Sequence, residues 1–311
     1  PAQLGVGIQG GLEEIVHAVS AALQLHPHEV AQDGDAPGEG WVCVSVDFKN
    51  FFNSISRPAI FRELLRHGEF ADLYPFLSVL YSKGNDSEAK LWADLGEQEW
   101  EDILSREGVH QGCTFGSFLA ALGLQPLLNE LARSMGSGML LAYCDDVKIV
   151  APVGVAFATY RRLKELAAAL GLEEVPTKGS IVWEGEGTPD LSMFPAAMPG
   201  VAARISHDRH LGVFLGDSRP EAVVAVKAAL LAKFHEKAAI IERLDIISDP
   251  QVKFQLLKCC VSTRPGFWLR TMSPLLTGDA AAWFDDRVRS CYTDTIDAHH
   301  SLNGHKWDIA T

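Results

Sequence analysis

The chain has 311 residues, six cysteines, and 27 Lys/Arg against 40 Asp/Glu, for a formal net charge of −13. That length is enough to bury a substantial core, no run of eighteen apolar residues supplies a membrane span, and the acidity excludes a uniformly basic nucleic-acid binder. The imbalance is uneven: residues 1–200 carry 13 Lys/Arg against 27 Asp/Glu and residues 201–311 carry 14 against 13, so a phosphate-tracking surface is expected mainly in the last third.

No two cysteines are spaced Cys-x-x-Cys, which removes zinc-finger spacing and points to a reducing, intracellular setting, nucleus or cytoplasm. In chain order, Gly5-Val6-Gly7-Ile8-Gln9-Gly10 satisfies the GxGxxG pattern, but too few residues precede it for the strand that a dinucleotide-binding βαβ unit requires. A glycine-rich turn leading into a helix over Leu12 to Leu25 is the better reading, with Glu13 and Glu14 well placed against the helix dipole. His26 to Gly40 is a loop by its Pro, Gly and Asp content.

Trp41 to Val46 is apolar and β-branched, a strand that ends on Asp47. After Phe48-Lys49-Asn50-Phe51-Phe52-Asn53, Ser56 is placed to cap a helix with Pro58 in its first turn and Ile60, Leu64 and Leu65 on its apolar face. Tyr74 to Tyr81 is a short apolar element, and the polar stretch Ser82 to Gln98 reads as a surface hairpin or insertion. Glu107 to Thr114 forms a turn around Gln111-Gly112 before a buried helix over Phe115 to Leu131.

Met139 to Val150 reads as a hairpin with Asp145-Asp146 at its turn. An isolated Asp-Asp is ordinarily a solvated turn. Asp47 at the end of another strand changes the expectation, because three strand-end carboxylates on one edge make a hard oxygen site suited to Mg2+, with Mn2+ as a substitute, and to in-line phosphoryl displacement. A helix over Ala156 to Leu170 stops at Gly171, and Lys178 lies on the turn before the strand Ile181 to Trp183, near enough to the hairpin to meet a phosphate. Glu184 to Ala203 reads as loop and His210 to Gly216 as a compact hairpin. Helices are expected over Glu221 to Ile241, Asp249 to Val261 and within Asp279 to Asp294. The histidines lack a partnered ligand pattern and receive no metal role.

Taken together, Val46 to Ser54, Gly108 to Cys113, Tyr143-Cys144-Asp145-Asp146, Gly171 to Lys178 and Leu211-Gly212 resemble, in order, motifs A to E of a reverse transcriptase of the non-LTR retrotransposon type. The resemblance implies an α+β fold: a polymerase palm of ferredoxin-like type with an antiparallel sheet and packed helices, followed by a helical thumb-like domain. It also implies a residual fingers-like segment over 1–40, a palm over 41–216 and a thumb-like region with a tail over 217–311. By position, Asp47, Asp145 and Asp146 would be the metal-binding catalytic carboxylates. Phe48, Phe52, Gln111, Gly112 and Lys178 would meet the nucleotide, with Phe52 as the steric gate, and Leu211 and Gly212 would form the primer grip. The implied partners are an RNA template, a DNA primer and dNTPs.

His110 stands where this family usually has arginine, Thr114 where it usually has proline, and Phe51 where a small residue is common. Only 40 residues precede the Asp47 strand, so the resemblance further implies that most of the fingers comes from another chain segment or a partner protein. Two alternatives stay open at this point, a catalytically inactive palm kept as a protein-binding scaffold and an RNA-templated RNA polymerase.

Overall fold

A computed structural model describes residues 2–30, 40–81, 89–96, 99–202, 209–210, 212–214 and 220–296. The chain divides into two compact units, residues 1–202 and 203–311.

The first unit opens with α1 (Gly11–Leu25), followed by β1 (Trp41–Val46), the single turn α2 (Phe51–Ser54), α3 (Arg57–Arg66), a 3-10 segment (Gly68–Leu73) and α4 (Tyr74–Leu80). A two-stranded hairpin, β2 (Ala89–Gly96) with β3 (Glu99–Ser105), precedes α5 (Gly116–Ser134). Then come β4 (Met139–Tyr143), β5 (Asp146–Pro152), α6 (Val153–Ala168), β6 (Ser180–Trp183) and β7 (Gly200–Ala202). The sheet runs β4-β5-β1-β6-β7, antiparallel through its first four strands and parallel at the β6–β7 edge. The four antiparallel strands interleave with helices in the ferredoxin-like order.

Strand parity separates the two faces of this sheet. Val42, Val44 and Val46 of β1, with Val147, Ile149 and Ala151 of β5 and Ile181 and Trp183 of β6, join Leu64, Leu119, Leu128 and Leu163 in one apolar core beneath α3, α5 and α6. Leu128 is fully buried, so its truncation to alanine should cost roughly 2–5 kcal/mol. Cys43, Ser45 and Asp47 have the opposite parity. The far end of that second face is packed by α1, whose Ile15, Val16, Val19 and Leu23 are buried, leaving the Asp47 end for the site.

Local signals explain where the helices begin and stop. The Ser56 hydroxyl accepts from Ala59 N–H at the start of α3, where Pro58 occupies the first turn. Gly171 has φ +77, Gly171 N–H donates to Ala168 and Leu172 N–H to Ala167, a Schellman closure of α6. Strand β7 lies inside the stretch expected to be loop. Its three residues, Gly-Val-Ala, are too few to show an alternating pattern, and only pairing with β6 makes them a strand.

The second unit contains the minimal hairpin β8 (Arg209–His210) and β9 (Val213–Phe214), at the expected His210 to Gly216 element, of which Leu211, Leu215 and Gly216 lie outside the described residues. It continues through α7 (Pro220–Ala238), α8 (Ile241–Leu244), α9 (Pro250–Leu256), a π turn over Leu257–Val261, α10 (Gly266–Thr271) and α11 (Pro274–Thr295). α7 and α11 pack together through buried Val226, Leu230 and Phe234 against Ala280, Phe284 and Val288, with the Phe234 and Phe284 rings edge to face at 5.9 Å. No helix among the described residues is long and apolar enough to cross a membrane.

Candidate active site

The carboxylates reach one edge by register. β1 pairs with β5 up to Val46 opposite Val147, and Asp47 follows directly; β4 pairs with β5 with Tyr143 opposite Asp146. The hairpin turn is therefore Cys144-Asp145, and Asp146 is already the first residue of β5. Cys144 takes a left-handed φ of +55.

A second strip of backbone brings in Lys178. Lys49 N–H donates to Glu173, Phe48 bridges Glu174, and Val175 N–H donates to the Asp47 carbonyl at 3.0 Å. The turn then closes with Lys178 N–H on the Val175 carbonyl, and Lys178 Nζ stands 3.5 Å from Asp47 Oδ1. That same oxygen is buried and has no hydrogen-bond partner. The Asp145 carboxyl is held above the usual carboxylate range, first by burial and then by the negative charges of Asp146 and Asp47, with a backbone hydrogen bond and Lys178 acting in the other direction.

Beneath Asp146 lies Lys148, a buried lysine. Its Nζ donates to Ser45 Oγ at 3.0 Å and sits 3.9 Å from Asp146 Oδ1. Among the described residues no three ligating side chains close around a common point as they stand. The donor set nevertheless fits a hard divalent cation: it is all carboxylate oxygen, one of those oxygens is buried without a hydrogen-bond partner, and ionising Asp145 is opposed by burial and its acidic neighbours.

The aromatic residues divide by burial. Phe48 and Phe51 lie in the core with their rings 6.2 Å apart, so Phe48 offers the site its backbone rather than its ring. Phe52 is half-buried and meets Phe51 edge to face at 5.2 Å. Phe52 is tied to the loop before α5: Val109 N–H donates to the Phe52 carbonyl and Gly108 N–H to that of Ile55. Gly108, at φ +66, sits so close to the Phe52 and Asn53 carbonyl groups that a Cβ there would collide with them.

Arg57 fastens the same loop. Its guanidinium, in a buried side chain, donates to the carbonyls of Gly108 (2.8 Å), Glu107 (2.9 Å), Ser105 and Tyr81 and to Ser105 Oγ. Ser105 Oγ in turn lies 3.0 Å from His110 Nε2, and the His110 ring stands 4.9 Å from Tyr81. Burial first, then the Arg57 charge, lowers the His110 pKa. In that packing a neutral imidazole fits beside the guanidinium. Gln111 and Gly112 follow as an exposed turn, Gly112 at φ +88 with open space around it.

Gly212 belongs to the second unit, at the turn between β8 and β9, where its carbonyl accepts from Trp268 Nε1 at 3.0 Å; Leu211 lies outside the described residues. Three residues that bear on the site escaped the sequence reading: Arg57, Lys148 and Gln3, whose amide bonds to the Cys144 backbone. Lys148 had a signal in its parity with Asp146 on β5, whereas Gln3 lies 141 positions from Cys144 and had none.

A family model described as reverse transcriptase (RNA-dependent DNA polymerase) matches residues 11–184. No curated protein matches the sequence. Among solved structures, the chain is similar to telomerase from Candida albicans in complex with a TWJ fragment of telomeric RNA, at 11% identity and a TM-score of 0.43, covering 99% of this chain and 47% of that one. It is also similar to apo telomerase from Candida tropicalis, at 11% identity and a TM-score of 0.42, covering 99% of this chain and 56% of that one. The chain thus spans about half the length of these structures. With the family model covering more than half of its residues, the chain belongs to the reverse transcriptase (RNA-dependent DNA polymerase) family.

Proposed function

We propose that this chain is the palm and thumb-like part of an RNA-directed DNA polymerase of the non-LTR retrotransposon type, which adds dNTPs to a primer 3′-hydroxyl. The observation that carries the reading is the edge formed by Asp47, Asp145 and Asp146, with Lys178 3.5 Å from an Asp47 oxygen that is buried and without a hydrogen-bond partner. In the reaction the 3′-hydroxyl gives up its proton to solvent, its oxygen bonds to the α-phosphorus, the bond from that phosphorus to the α,β-bridging oxygen breaks, and pyrophosphate leaves.

Asp47, Asp145 and Asp146 would hold Mg2+, or Mn2+ in its place, which when bound lowers the charge on the phosphates and favours the attacking alkoxide. Lys178, on its exposed turn, meets the triphosphate and stabilises charge on the departing pyrophosphate. Phe52 presents the half-buried ring at the sugar, where its bulk disfavours a 2′-hydroxyl and argues against the RNA-polymerase alternative. Gln111 and Gly112 lie on the turn that supports the templating pair. Leu211 and Gly212 grip the primer, with the Trp268 indole bonded to the Gly212 carbonyl. The template is RNA and the setting is intracellular.

The acidity of residues 1–200 favours a second reading, a palm kept as a protein-binding scaffold. Primer extension by the parent and by Asp145→Asn tests the first: the substitution should remove activity at least about a hundredfold, and full extension by Asp145→Asn would refute the mechanism. A stable parent that binds neither Mg2+ nor primer-template but retains a protein partner would favour the scaffold.

A further inference from the structure

Cys144, at the tip of the β4–β5 hairpin, is one of two described non-glycine residues with a positive φ, a backbone that a residue bearing a Cβ adopts only at a cost. Both of its main-chain polar groups are engaged by one side chain. Cys144 N–H donates to Gln3 Oε1 at 2.9 Å, and Gln3 Nε2 donates to the Cys144 carbonyl at 3.2 Å. The same Oε1 accepts from Gly5 N–H at 2.8 Å, which fixes the orientation of the amide itself.

The segment carrying Gln3 is docked along β4: Leu4 N–H donates to the Ala142 carbonyl at 2.8 Å and Ala142 N–H to that of Ala2 at 2.7 Å. Gln3 is 8% exposed. Gly5 approaches the Tyr143–Cys144 backbone so closely that no side chain fits there. A primary amide offers one donor edge and one acceptor edge, which match the carbonyl and N–H of a single residue. The β4–β5 ladder already pairs Tyr143 with Asp146. What the amide adds is the choice of conformation at the turn between them.

We propose that Gln3 is the positioning residue of this turn: its amide holds Cys144 in the left-handed conformation, so that Asp145 and Asp146 share an edge with Asp47. The consequence for catalysis rests on the polymerase reading above, whereas the consequence for cation binding is read separately.

The test uses the full chain with Gln3→Met, which keeps length and removes both hydrogen-bonding groups, Cys144→Gly, which adopts a positive φ freely, and the double variant. In Gln3→Met, Mg2+ affinity by calorimetry should fall several-fold and primer-extension turnover about tenfold, with the KM for dNTP nearly unchanged. Cys144→Gly should restore most of both losses in the double variant, an interaction that a generally structural Gln3 would not produce. Parent-like Mg2+ affinity and turnover in folded Gln3→Met would overturn the proposal, as would a loss that Cys144→Gly does not rescue.

If Gln3→Met fails to fold, Gln3→Glu replaces it. Glutamate keeps the acceptor for the two N–H groups and loses the donor, so an intermediate loss of Mg2+ affinity is expected and parent-like affinity contradicts the proposal. A parent that binds Mg2+ but extends no primer removes the polymerase reading alone, and the calorimetric comparison then decides on Gln3. A parent that neither binds Mg2+ nor extends overturns both.

Discussion

Lys178 holds its ammonium 3.5 Å from the Asp47 carboxylate, a spacing set by main-chain hydrogen bonds that run the 173–175 strip alongside residues 47–49. The lysine supplies positive charge to a cluster in which burial and the charges of Asp146 and Asp47 oppose ionisation of Asp145. Its side chain is 62% exposed, so the pair should add no more than about 1 kcal/mol to stability. Lys178→Ala is therefore expected to leave the melting temperature nearly unchanged while raising the KM for dNTP several-fold. A melting-temperature loss with an unchanged KM would move Lys178 from substrate to structure.

Asp145 should trade stability for function. Its carboxyl is raised above the ordinary value of 3.8 by burial and by its acidic neighbours, so at neutral pH the ionised group opposes folding. As pH falls through the raised value toward 3.8, the folded state takes up the proton and the penalty disappears. Asp145→Asn is accordingly expected to melt higher than the parent at pH 7 and to lose that advantage below the ordinary aspartate range. Thermal unfolding of both proteins across this window, without divalent cation, gives the comparison, and an advantage that grows toward low pH would contradict it.

Phe51 and Phe52 are adjacent and should behave oppositely. Phe51 is 2% exposed in the core, and its truncation to alanine should cost about 3–5 kcal/mol. Half-buried Phe52 should cost less on truncation, and Phe52→Val should instead relax discrimination against ribonucleotides by on the order of tenfold or more. Denaturant midpoints and the ratio of dNTP to NTP incorporation measure the two effects.

Arg57 and Gly108 secure the loop that carries Gln111. Arg57→Met strips the donor from carbonyls at Tyr81, Ser105, Glu107 and Gly108, and water entry offsets only part of a net loss of roughly 2–4 kcal/mol. Gly108→Ala adds a Cβ that meets the Phe52 and Asn53 backbone at a positive φ, an overpacking cost of about 1–3 kcal/mol before strain. Chemical denaturation of the two variants tests these values. Parent-like midpoints would mean that the loop is held elsewhere.

The edge that gathers Asp47, Asp145 and Asp146 was legible in the sequence because its parts are local: a β-branched strand ending on Asp47, a hairpin around Asp145-Asp146, and a glycine that stops α6 before the Lys178 turn. The ferredoxin-like order followed from the same elements. What stayed hidden is held by pairing between distant positions. Gln3 looks like any residue of a glycine-rich opening, and only the β4 bridge brings its amide to Cys144. Arg57 resembles a routine surface arginine at a helix start until its carbonyl partners are seen. Strand β7 has no pattern of its own and takes its conformation from β6.

The measurement that tests the central claim most directly is Mg2+-dependent extension of a DNA primer on an RNA template by the 311-residue chain, run beside Asp145→Asn. The account predicts dNTP incorporation by the parent, none by Asp145→Asn, and loss of the signal on chelation of the cation. Equal extension by parent and variant, or none by the parent, would contradict it.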